Sequence, residues 1–115
     1  FVAKADLPYW YAGATAMIYP SLFEGFGLPP VEAMASGVPV ICSPAGSLEE
    51  VVGQAARLID PLDPASIAAA MHALLDPAVA ADFRARGLER AAEFSWVKAA
   101  EAVVRLYKSA AGVNN

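Results

Sequence analysis

Apolar and polar residues follow two rhythms along this chain. In the first half, short uncharged apolar runs are cut by Gly and Pro, whereas in the second half apolar residues recur at helical spacing among charges. Ala16–Tyr19 (AMIY) and Val38–Cys42 (VPVIC) are brief apolar runs of the kind that form strands buried on both faces. Ala56–Ile59 offers a third strand, ended by Asp60 and Pro61. Leu7–Ala14 (LPYWYAGA) reads as a short helix with Pro8 in its first turn and Gly13 near its end, with Trp10 and Tyr11 as packing residues. After a loop over Ser21–Leu28, Pro30 is expected to open a helix through Ser36. Gly37 closes it from the C′ position, and Pro29, which precedes another proline, is expected outside it. Ser43–Ser47 is a turn and Leu48–Gly53 a short helical piece. Strands alternating with helices predict a parallel sheet with right-handed crossovers.

The second half is predicted to be helical. Asp63-Pro64 and Asp76-Pro77 each supply an N-cap followed by a proline at the first helical position. Ile67, Met71, Leu74 and Leu75 form the packing face of the first helix. The next runs to about Glu93 with Val79, Ala80, Phe83 and Gly87 inward, and the charges from Asp82 to Glu93 read as its solvated face. Ser95 can cap a last helix carrying Trp96, Ala100, Val103, Val104 and Tyr107, with Glu101 and Arg105 paired on the outside. Gly112–Asn115 reads as a frayed tail. The fold class expected is α/β, a Rossmann-like three-layer parallel sheet with a helical C-terminal third, as a single domain over residues 1–115.

Composition narrows the function classes. A chain of 115 residues can bury one real core. Hydrophobic residues make up 57% and the mean hydropathy is +0.44, but Pro8, Gly13, Pro20, Gly25, Gly27, Pro29 and Pro30 interrupt the uncharged stretches, so no transmembrane segment is expected. A net charge of −4 argues against a nucleic-acid surface, which needs clustered Lys and Arg. Cys42 is the single cysteine and sits in an apolar run as a structural thiol, and His72 lacks companions at ligand spacing. The chain opens FVAKADLPYW, without Met and without a basic-then-apolar leader, so a piece of a longer cytoplasmic protein is expected. Peripheral membrane association through the missing domain is the alternative location.

The chemistry concentrates between Tyr19 and Pro44. Glu24 and Glu32 are the only charged residues between Leu7 and Leu48, and an unpaired carboxylate in apolar surroundings is costly unless solvated, hydrogen-bonded or presented to a ligand. Gly25, Phe26, Gly27 and Leu28 lead from strand to helix and offer backbone N–H groups that can converge on an anion, aided by the helix dipole. Pro29 and Pro30 have no N–H to offer. GFGLPP matches neither a P-loop nor a full G-x-G-x-x-G. Carboxylates repel phosphate but accept paired hydroxyls, so the pattern suggests a ligand with phosphate in the middle and sugar hydroxyls on either side: a nucleotide sugar. The plainer alternative makes Glu32 a first-turn helix residue favoured by the dipole and Glu24 a solvated loop residue.

FEGFGLPPVEAMASGVPVICSPAGSLEEVVG resembles the retaining GT-B glycosyltransferases of family 4, also called group 1, in its E-x7-E spacing, EGFGLP loop and EAMA-x-G-x-P-V run. LPYWYAGA, LIDPLDPASIAAA and the late FSW extend the resemblance over nearly the whole chain. It implies the back portion of a C-terminal donor domain, with the N-terminal acceptor domain missing. Glu24 then matches a glutamate beside the donor sugar that helps position it at the reacting carbon, the catalytic residue the resemblance implies, Glu32 one that binds ribose hydroxyls, and Gly25–Leu28 a loop on the diphosphate and sugar. Pro30 departs from the commoner pattern by adding a second proline, and Gly46 and Ser47 stay unassigned. The implied reaction is retaining hexosyl transfer from a nucleoside diphosphate sugar to an acceptor, with the donor as substrate and no cofactor or metal required. The basic pair expected to neutralise the leaving diphosphate lies upstream in this family and is not matched by Lys4. These 115 residues alone are therefore expected to lack turnover. A non-catalytic nucleotide-sugar binding or interaction module, a GT-B epimerase and a GT-B phosphorylase are the alternatives.

Overall fold

The structure, a computed structural model, describes residues 1–112. Of the expected frayed tail, residues 113–115 lie outside the described residues. The chain runs α1 (Leu7–Ala12), β1 (Met17–Tyr19), α2 (Leu28–Ala35), β2 (Val40–Cys42) and α3 (Leu48–Val52). A single 3-10 turn (Gly53–Ala55), β3 (Ala56–Leu58), α4 (Pro64–Ala73), α5 (Pro77–Ala91) and α6 (Trp96–Ala110) follow. The strands form one parallel sheet in the order β1-β2-β3, with Tyr19 beside Cys42 and Cys42 beside Leu58 at its C-terminal end. The α/β expectation therefore holds.

Only β2 is fully buried along its length. Its alternating side chains feed two cores, as the period of a strand requires. Val40 and Cys42 join Ala33 and Met34 of α2, Val52 of α3 and Ala91 of α5, while Ile41 joins Ile59, Ala70, Leu74 and Phe83. β1 and β3 are the edges of this sheet, which is why Ile18 and Leu58 are each 37% exposed although double-sided burial is expected for β1.

Helix boundaries follow local chemistry with one correction. α2 starts at Leu28, so Pro29 and Pro30 both lie inside its first turn. The N–H groups of a first turn have no intrahelical acceptor, so two prolines there forfeit nothing, and that outweighs the bias against a helical residue before proline. Its other end is a Schellman motif: Gly37 has φ +72°, its N–H reaches Met34 O at 3.0 Å, and Val38 N–H reaches Ala33 O at 2.9 Å. Asp63 and Asp76 cap α4 and α5 by accepting from Ala65 N (2.9 Å) and Ala78 N (2.8 Å), and Ser95 caps α6.

Four packing expectations change. Along α4 and just past its end, Ala70 and Leu74 are buried and Ile67 is half-buried, because the core around Ile41 meets the face that carries them, while Met71 and Leu75 face outward. Trp10 is exposed, and only Tyr11 of that pair packs on the core. The arginines of α5 are not simply solvated. Arg84 donates to Gly37 O (2.8 Å), Arg90 to Val51 O (2.9 Å) and Glu50 O (2.8 Å), and Arg86 to Gln54 O, so three guanidiniums satisfy carbonyls at the ends of α2, α3 and the 3-10 turn. α6 buries no residue, and Glu101 and Arg105 form no ion pair among the described residues. The Cα radius of gyration, 16.6 Å, exceeds the roughly 13 Å of a compact chain this long.

Candidate functional site

Both E-x7-E carboxylates lie at or beside the C-terminal end of the sheet, where ligands bind in open parallel folds. The loop after β1 carries Glu24 and leads into α2, and the turn after β2 runs alongside it because the two strands are neighbours in the sheet. Three contacts from that turn shape the loop. Buried Ser43 donates its hydroxyl to Ser21 O, Ser47 donates to Gly25 O and lies 3.4 Å from Phe26 O, and Gly46 sits against the backbone of Glu24. A Cβ on Gly46 would fall 2.1 Å from Glu24 O, and its φ of +59° already favours glycine. Gly46 and Ser47, unassigned from the sequence, are thus the back wall of the loop.

Gly27 is the N-cap of α2 with φ +90°, a left-handed conformation that turns the chain into the helix. A Cβ there would lie 2.3 Å from the tip of buried Leu48 of α3, so glycine also lets the loop lie on the core. Gly25 N–H turns back to Glu24 Oε1 at 3.3 Å. Among the described residues, the Phe26, Gly27 and Leu28 amides donate to no protein acceptor. Phe26 stacks edge-on against Phe94, with ring centroids 5.8 Å apart and an interplanar angle of 87°. The run of amides without a protein acceptor therefore extends one residue into the helix, to Leu28.

Glu24 is half-buried and accepts from the Tyr19 hydroxyl. Glu32 is exposed on the second turn of α2, not the first, and accepts from the Tyr11 hydroxyl at 3.1 Å. The dipole reading of Glu32 weakens accordingly, since the effect fades beyond the first turn. The hydrogen bond to Glu24 and then burial push the Tyr19 phenol above its ordinary range, and burial followed by the Glu32 carboxylate does the same to Tyr11. Both phenols therefore stay protonated donors at neutral pH. Sequence reasoning missed these tyrosines; the placement of Tyr19 at the strand end, five residues before Glu24, is the signal that could have found one of them. Glu32 also lines a groove of about 560 Å³ with Phe26, Leu28, Val31, Phe94 and Trp96.

Elsewhere, Cys42 is fully buried and desolvation pushes its thiol up to about 11, as a structural role requires. No single helix among the described residues is long and apolar enough to cross a membrane.

A parallel α/β sheet with a Gly-rich loop and two carboxylates at or beside the C-terminal end of its strands is a Rossmann-like arrangement. Residues 1–77 match the model of the family described as glycosyl transferases group 1, and the chain belongs to that family. It is 46% identical over 109 residues to O-antigen chain mannosyltransferase B of Escherichia coli, covering 94% of this chain and 29% of that protein. It is 45% identical over 114 residues to the MMP alpha-(1->4)-mannosyltransferase of Mycolicibacterium hassiacum, covering 95% and 28%. Among solved structures it superposes on sucrose-phosphate synthase from Thermosynechococcus elongatus with a TM-score of 0.87 and 32% identity, over 98% of this chain and 29% of that one. The chain thus spans less than a third of the relatives it matches, and corresponds to a portion of a group 1 glycosyltransferase.

Proposed function

We propose that, within a full-length protein, this chain forms part of the donor site of a retaining glycosyltransferase that moves a hexosyl group from a nucleoside diphosphate sugar to an acceptor. The observation that carries the reading is the placement of two carboxylates around one run of amides that have no protein acceptor. Phe26, Gly27 and Leu28 would hold the diphosphate, joined by Gly25 once its N–H leaves Glu24 Oε1, with Glu32 taking the ribose hydroxyls and Glu24 the hydroxyls of the transferred sugar near its reacting carbon. Backbone donors aimed at the departing diphosphate stabilise the charge that develops there. The diphosphate is itself a good leaving group, so the glutamates are not an acid and base pair of the glycoside-hydrolase type. The acceptor would meet this face from the missing N-terminal domain, in the cytoplasm.

Two relatives named as mannosyltransferases put mannosyl donors first in a substrate panel. In the full-length protein, Glu32→Gln is expected to weaken nucleoside diphosphate binding about tenfold, the scale of one charge-assisted hydrogen bond. Glu24→Gln is expected to lower kcat by about tenfold or more with donor binding largely kept. Titration calorimetry and product analysis check both. Unchanged binding and rate in both variants would return the glutamates to structural roles, and binding without turnover in the parent protein would favour a nucleotide-sugar binding module.

A further inference from the structure

Each glutamate of the site is met by a phenol that precedes it in the chain. Tyr19 ends β1 and donates to Glu24 Oε2, and Tyr11 of α1 donates to Glu32 Oε2 at 3.1 Å. Both rings pack against the core cluster that contains Ala33, Met34, Val40 and Cys42, so each hydroxyl is presented from a fixed platform. We infer that Tyr11 and Tyr19 are positioning residues of this site: each phenol holds one carboxylate oxygen so that the other is set to accept from a ligand hydroxyl. The inference rests on the donor-site reading above and adds two residues to it.

The chemistry of a phenol suits this task better than that of a cation. A glutamate loses much rotamer freedom when ordered, and a ligand that must order it binds more weakly. Lys or Arg would order the carboxylate too, but would also neutralise it and could occupy both oxygens. A tyrosine donates one hydrogen, leaves the charge in place and blocks one oxygen. At Glu32 the structure shows that arrangement, with Oε2 taken by Tyr11 and, among the described residues, no hydrogen bond to Oε1. At Glu24 the second oxygen carries, among the described residues, only the long contact from Gly25 N–H, 3.3 Å, which a ligand hydroxyl could displace or share. A tyrosine that merely satisfied its own hydroxyl would leave ligand affinity and rate alone when changed to Phe.

The test compares Tyr11→Phe and Tyr19→Phe with Glu32→Gln and Glu24→Gln in the full-length protein. UDP, GDP and ADP serve as binding probes and their hexose conjugates as donors. Phenylalanine keeps each ring in the core, so melting temperatures are expected to match the parent. Tyr11→Phe is expected to raise the Kd of the diphosphate that binds, and the donor KM, by about fivefold to tenfold with kcat unchanged. Tyr19→Phe is expected to lower kcat by about tenfold with donor KM within about twofold. If the glutamate variants show their losses while both Phe variants behave like the parent, the inference is overturned and the donor-site reading stands. If the Phe variants lose function only in proportion to a fall in melting temperature, their role is structural and the inference is likewise overturned. If the glutamate variants are also unaffected, or none of the three diphosphates binds the parent protein, the donor-site reading itself fails and takes the inference with it.

Discussion

Helix α2 has eight residues and buries three of them, Pro30, Ala33 and Met34, whereas α6 has fifteen and buries none, although its apolar stripe is the more regular of the two. The difference lies in what each helix faces. α2 lies on the sheet and packs against α5, with Gly87 beside Met34. α6 leaves Trp96, Val97, Leu106 and Tyr107 largely in solvent. A periodic stripe states that a helix can pack; only a partner makes it pack. Rigidity around α2 is also what a site of two carboxylates and a row of amides needs, since the loop is held from below by Leu48 and from behind by Gly46 and Ser47.

The sharpest way to break this contrast is Met34→Ala. Met34 is completely buried, and its truncation is expected to cost about 3 kcal/mol in chemical denaturation, the usual range for emptying a packed site. A cost under about 1 kcal/mol would mean that α2 is no better packed than α6.

The next test uses alkali. Burial raises the Cys42 thiol from its ordinary 9.0 to about 11. Below pH 9 the thiol is neutral in both folded and unfolded chains, and its full contribution to stability is present. Between pH 9 and 11 it ionises in the unfolded chain but not in the folded one, so about 2 kcal/mol of stability is expected to drain away across that window. Tyr11 and Tyr19 shift in the same direction, so the thiol is read from the difference between the parent and Cys42→Ala, whose stability should fall less steeply. Parallel profiles would place Cys42 in contact with water.

The smallest effects belong to α6. Val104→Ser and Leu106→Ser, at residues 51% and 70% exposed, are each expected to change the stability of the 115-residue chain by no more than about 0.5 kcal/mol. Losses above about 1.5 kcal/mol would show the helix packed against the body of the chain.

Much of the candidate site was legible because its signals are local or compositional. Glu24 and Glu32 stood out as isolated charges, and glycines between them announced close backbone approach. Tyr11 did not stand out, since a tyrosine beside a tryptophan in a short helix reads as packing, and its partner lies 21 residues away. Gly46 and Ser47 were visible as a turn, but their role depends on β2 lying beside β1, which brings residues 21 or 22 apart into contact. The arginines of α5 had the same ambiguity: charge on a helix face reads as solvated until a carbonyl end is placed against it.

By itself, the sequence determined the alternating elements, the Asp-Pro caps, the Gly37 stop and the two carboxylates, because proline dihedrals, side-chain caps and hydrophobic period act within a turn or two of chain. That Pro29 sits inside α2, that β1 and β3 are edges of this sheet, that α6 buries nothing, and that two phenols meet the two glutamates all come from how the elements pack together. Those outcomes depend on which surfaces meet across tens of residues, and no local preference specifies that meeting.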